Sequence, residues 1–196
     1  MELNGASFNM SFKSPLATTT NWGVVRVGDG ITVVDGIIST GGTPTASLNY
    51  GFFADTTTQT NPVPDTANLI TINTTETNDQ VTVLGSQITV TNTGTYAQVF
   101  TLSFEKVSPG TPTTASIWLR KNGVDVPNSS QSIDVPNQLS LLFVTGNYTL
   151  DLLAGDNIEL VWSSPDIDVQ LSFLPAAVAP VRPSTPSVKV SLIRIS

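Results

Sequence analysis

Cysteine and histidine are both absent from this 196-residue sequence. That excludes disulfides, thiolate nucleophiles, structural zinc and any triad or metal site built on imidazole. Charge is scarce too, with 12% of residues charged, eight of them basic and fifteen acidic, for a formal net charge of −7. Phosphate backbones are held by clustered Lys and Arg. Here the basic residues are scattered and only Arg120-Lys121 are adjacent, so no nucleic-acid partner is expected. The negative balance gives little attraction to anionic membranes. The opening residues, MELNGASFNM, lack the basic and apolar regions of a signal peptide. No apolar run approaches the roughly 18 residues needed to span a bilayer, so no membrane insertion is expected. Synthesis in a cytoplasm as a soluble protein is the expectation. No long stretch rich in Ala, Glu, Lys and Leu shows a helical period, which leaves little room for helices.

What remains is rich in Thr, Ser, Asn and Gln, with 39% hydrophobic residues. Thr is β-prone, and neutral polar side chains make a wet surface without strong fields. The clearest pattern is GTYAQVFTLSFEK, residues 94–106. Tyr96, Phe100, Leu102 and Phe104 fall on one face, with Ala97, Thr101, Ser103 and Glu105 on the other. Period-two alternation of this kind predicts a half-buried antiparallel strand. A second strand, Ser116–Lys121, is closed by the turn dipeptide Asn122-Gly123.

Three regions are expected along the chain: an arm at 1–14, a small turn-rich β unit with linker at 15–48, and a β-sandwich at 49–196. In the arm, Phe8, Met10 and Phe12 are spaced by two, an apolar strip that a soluble protein would hide against a partner. In the middle unit, Trp22–Val27, Ile31–Val34 and Ile37–Ser39 read as short strands. Gly28-Asp29-Gly30 and Asp35-Gly36 join them, where glycine supplies positive φ. So small a sheet cannot bury a core alone, which points to oligomerisation. Gly28-Asp29-Gly30 is no dinucleotide fingerprint, because Val33 stands where the third glycine belongs.

In the sandwich region, strands are predicted at Tyr50–Ala54, Asn68–Asn73, Gln87–Thr91, Thr95–Val107, Ala115–Lys121 and Gln131–Val135. Further strands follow at Leu139–Thr145, Tyr148–Leu153, Asn157–Ser163, Val169–Leu174 and Ser187–Ile195. Proline lacks a ladder donor, so Pro175–Pro186 is expected to be a surface crossover. This many short strands at such spacing indicate an all-β antiparallel sandwich.

Five segments occur in order: YGFFADTTTQTNPVP, TGTYAQVFTLSFEK, ASIWLRKNGVDVPNSS, LLAGDNIELVWSSPDIDVQL and PSTPSVKVSLI. Taken together they resemble the C1q/TNF-like jelly-roll heads of phage and large-DNA-virus structural proteins. The preceding GVVRVGDGITVVDGIIS resembles an element of phage tail fibres and spikes. The resemblance implies a homotrimeric jelly roll on the exterior of a virion, made in the host cytoplasm. It implies a capsid-decorating or cement protein with a host-recognition role, or else the distal receptor-binding head of a tail fibre. About forty residues precede the head, enough for an arm and a small base but not for a long fibre, which favours decoration if the 196 residues are the full product and the fibre reading if they are a C-terminal piece. The expected partners are further copies of the chain, a major capsid or other virion protein bound through the arm, and a host cell-surface glycan.

Catalytic chemistry is sparse, and no enzyme is expected. No catalytic, cofactor-binding or metal-binding residue is assigned, and no cofactor. Asp166/Asp168 and Glu76/Asp79 could offer oxygen ligands to calcium, but isolated Asp and Asn in loops are far more often turn formers. The sequons at Asn9, Asn73, Asn128 and Asn147 are expected by chance in so Asn- and Thr-rich a chain. Trp118 and Trp162 read as core or inter-protomer packing, and Trp22 as a surface anchor. Tyr50, Tyr96 and Tyr148 are stacking candidates for a glycan. The neutral loops Thr56–Asp65, Thr74–Gln80 and Ser108–Thr114 are candidates for recognising one by hydrogen bonding.

Overall fold

The computed structural model describes residues 31–34, 37–40, 48–137 and 140–196. The chain divides into two compact units, Met1–Ala46 and Ser47–Ser196. In the first, β1 (Ile31–Val34) and β2 (Ile37–Thr40) form an antiparallel hairpin with Val34 opposite Ile37. The arm at 1–14 and the segment Trp22–Val27 lie outside the described residues.

The second unit opens with β3 (Tyr50–Asp55), β4 (Gln59–Thr60), β5 (Asn68–Leu69), β6 (Thr74–Asp79), β7 (Val81–Leu84) and β8 (Gln87–Val90). Next come β9 (Gly94–Lys106), β10 (Thr113–Lys121), β11 (Val124–Asp125), β12 (Gln131–Val135) and β13 (Leu142–Leu152). The chain closes with β14 (Asn157–Ser163), β15 (Val169–Leu171), β16 (Ala177–Val178), β17 (Val181–Arg182) and β18 (Val188–Arg194).

The pairings are nested. The first long strand β3 pairs with the last, β18; β8 pairs with β14, β9 with β13, and β10 with β12, all antiparallel. This is a long two-stranded ribbon rolled up on itself, the defining topology of an antiparallel jelly-roll sandwich. The large sheet runs β6-β3-β18-β9-β13, with β15 and β4 continuing beside the far end of β9. The small sheet runs β7-β8-β14-β10, with β12 and β11 on the outer side of β10 and β5 on β14.

Between the sheets lies one core. Tyr96, Phe100, Leu102 and Phe104, the face predicted for β9, are fully buried. Trp162 of β14 meets Phe104 edge-to-face at 5.6 Å, and Phe100 stacks on Tyr148 at 6.0 Å. Asn122 and Gly123 both have positive φ, 51° and 79°, and close the β10–β11 hairpin with Lys121 opposite Val124. That is the primed turn the dipeptide favours.

Several expectations are corrected. Asn68–Asn73 is a strand only at Asn68–Leu69. Beyond it the chain crosses between the sheets, with Ile70 N–H donating to Leu160 O and Ile72 N–H to Gly85 O. Thr74–Gln80, expected as a loop, is mostly β6, an edge strand whose side chains are almost all exposed. The two strands expected at Leu139–Thr145 and Tyr148–Leu153 are replaced by one, β13 (Leu142–Leu152), which runs through Gly146, while Leu139 lies outside the described residues. A Cβ at Gly146 would stand 2.3 Å from the Phe100 ring opposite it, so the glycine makes room for an aromatic instead of turning the chain. Trp118 is not core: it points outward from β10, half-exposed, and donates to Asp125. The proline-rich crossover carries a small hairpin of its own, β16–β17.

Candidate interaction surfaces

Two surfaces of the sandwich offer more than solvation. The first is the outward face of the large sheet. Register places Tyr50, Phe52 and Ala54 of β3 beside Ile193, Ser191 and Lys189 of β18 on this face. Ala97, Val99 and Thr101 of β9 and Thr145 and Asn147 of β13 continue it. Phe52 is 39% exposed, Val99 43% and, further along β13, Phe143 55%. Phe52 leans on Tyr50 with ring centroids 6.1 Å apart. A recess of about 310 Å³ lies in this face, lined among others by Phe52, Ala54, Val99 and Thr101, with Glu76 and Lys189 at its rim. Both charged side chains are exposed, and neither makes an ion pair among the described residues.

The second surface is the end of the sandwich where β3 and β9 finish and β18 begins. The loop Thr56–Asp65 and the segment from Ser108 to the start of β10 both lie here, along with the β16–β17 hairpin. Thr58 Oγ1 accepts from Phe173 N–H at 3.2 Å, and Val107 N–H donates to Asp168 O at 2.9 Å. Asn61, 2% exposed, donates its amide to Ser164 O at 2.9 Å and Asp166 O at 3.0 Å. Thr74–Gln80 does not join this end as a loop, because its residues are spent on the edge ladder with β3.

The carboxylates considered for calcium have other occupations. Asp166 takes an ion pair from Lys106, which holds its carboxyl below the ordinary carboxylate range. The backbone N–H of Asp168 also donates to Asp166, and Asp168 accepts from the Ser108 hydroxyl. Glu76 and Asp79 sit on β6. Among the described residues no group of three or more Asp and Glu side chains is placed to hold a metal ion. At the opposite end, Asp156 closes the turn before β14. Lys121 Nζ at 2.7 Å, the Asn122 amide at 2.7 Å and Leu153 N–H at 2.8 Å bind it and lower its pKa to about 2.

The three tyrosines do not gather. Tyr96 is fully buried with its hydroxyl donating to Asn92 O, and Tyr148 faces the core and donates to Ser129 O. Only Tyr50 lies on an outward face.

No family model and no curated protein matches the sequence. Among solved structures, the chain is similar to the globular domain of the zebrafish complement 1qA protein. Identity is 18%, covering 76% of this chain and 98% of that one, with a TM-score of 0.47. It is similar to murine APRIL at 7% identity, covering 76% and 99%, also with a TM-score of 0.47. The jelly-roll assignment rests on the nested pairing of the strands.

The exposed face was missed at the sequence level, although a signal was present. Phe52 and Phe53 are adjacent, and neighbours on a strand point to opposite faces. One of the two had to face away from the core. Val99, out of phase with the buried residues of β9, carries the same message.

Proposed function

We propose that this chain is a homotrimeric jelly-roll head carried on the exterior of a virion, where it decorates the capsid. One observation carries the assembly half of the reading: the outward face of the large sheet presents Phe52, Val99 and Phe143 to solvent. Large side chains on a β face without a covering layer mark an association surface. A second copy is the natural occupant, since the recess rim carries one cation and one anion, Lys189 and Glu76. A three-fold arrangement sets unlike patches of successive copies against each other. The virion half rests on the five ordered motifs and the fibre-like element described above.

A second reading, the receptor-binding head of a tail fibre, is favoured by the element at residues 23–39. Copy number on purified particles separates the two: hundreds of chains per virion for decoration, a few tens or fewer for a fibre. Deleting residues 1–14 should leave the head assembled and abolish its incorporation into particles. Normal incorporation of the truncated chain would defeat attachment through the arm.

A further inference from the structure

We propose that a cleft at the loop-bearing end of the sandwich, between β4 and β5, is a binding site for a neutral saccharide unit. This rests on the recognition role in the reading above and names its site. The cleft has a volume of about 580 Å³, within the roughly 300–1,000 Å³ usual for small-molecule sites. It opens between the two sheets, since β4 pairs with β15 of the large sheet and β5 with β14 of the small one. Trp162, itself fully buried, lies beneath it, and no charged side chain lines it. An ionic ligand would find no counter-charge there.

The groups that do face the cleft suit a sugar. Among the described residues the exposed hydroxyl of Thr60 has no partner, and Thr58 only accepts, from Phe173 N–H, which leaves its own proton to donate. Asn68 spends both amide hydrogens on Asn61 Oδ1 and Thr66 O, at 3.0 Å each, which leaves its Oδ1 to accept. Leu69, 42% exposed, and Pro62 supply apolar surface for the C–H face of a pyranose ring.

The walls are held before any ligand arrives. Gln59 clasps the opposite wall in both directions, donating to Thr71 O at 3.1 Å and accepting from Thr71 N–H at 2.9 Å. Buried Asp55 anchors both sides, accepting from the Thr57 hydroxyl at 2.5 Å and the Thr71 hydroxyl at 3.2 Å. A site whose side chains are already ordered loses little entropy on binding.

The test is a titration of the ¹⁵N-labelled full chain with glucose, galactose, N-acetylglucosamine and lactose, beside N-acetylneuraminic acid as the charged comparison. At least one neutral sugar should shift the amides of Thr58–Thr60 and Asn68–Thr71, while the acidic sugar leaves them in place. Leu69→Arg should weaken that binding by about tenfold or more without changing the melting temperature. Thr82→Arg, on the far edge strand of the small sheet, should bind as the native chain does. Unmoved cleft amides with every neutral sugar, tighter binding of the acidic one, or full binding by Leu69→Arg would each overturn the proposal. Failure here with an intact trimer defeats the cleft alone. Sugar binding by a trimer that does not compete with virus adsorption defeats the recognition role and leaves the cleft.

Discussion

Gln98 occupies a core-facing position on β9 between Tyr96 and Phe100, is fully buried, and neither its Nε2 nor its Oε1 finds a partner among the described residues. Leaving a buried amide unsatisfied costs about 1–3 kcal/mol. Gln98→Leu should therefore raise the unfolding free energy, by about 1 kcal/mol or more on the same scale, measured by urea denaturation. A loss of stability would mean that the amide has a role the core alone does not reveal. Trp162 is the converse: complete burial against Phe104 predicts that Trp162→Ala costs about 3–5 kcal/mol. Near-native stability of that variant would contradict its place in the core.

Asp156 is one carboxyl expected to make stability fall in acid. Its pKa is lowered from 3.8 to about 2, first by Lys121 and then by the Asn122 amide and Leu153 N–H. A depressed carboxyl stabilises the fold above the unfolded value and loses that contribution as pH falls through the folded one. The melting temperature should thus drop between about pH 4 and pH 2, in part through this group. Lys121→Met should flatten the drop, and an unchanged profile would remove Asp156 from the explanation.

At the scale of elements, legibility followed burial. β9 reads directly from the sequence because one face is core and the other is not, and β10, β12 and β18 show the same contrast, whereas β14 is buried on both faces from Ile158 to Trp162. β6 was illegible as TTETND: an edge strand with no buried face carries no hydrophobic alternation to detect. β13 was split at Gly146-Asn147 because glycine there resembles a turn, whereas the cause is a ring on the neighbouring strand. Gly146→Ala should cost about 1–3 kcal/mol through overpacking against Phe100. Combining it with Phe100→Leu should recover part of that loss, since each change relieves the other. Strictly additive losses would contradict the account of β13. The cleft between β4 and β5 had no signal of its own beyond a neutral loop, because Gln59, Asn61 and Thr71 converge only when the sheets close.

For the whole molecule, the all-β sandwich was legible from strand count and spacing, while the nested order followed only from the resemblance to jelly-roll heads. In the proposed reading, copies of the chain meet through the outward face of the large sheet. A charge at its centre should undo assembly without unfolding the sandwich, because Phe52 points away from the core. Lys189→Glu and Glu76→Lys should each weaken association, and the double exchange should restore part of it if the two meet across copies. The most direct measurement is sedimentation equilibrium of the full chain at micromolar concentration, beside Phe52→Glu. The account predicts three times the 20.7 kDa chain mass for the native protein and a folded single chain for the variant. A native protein that sediments as one chain would contradict it.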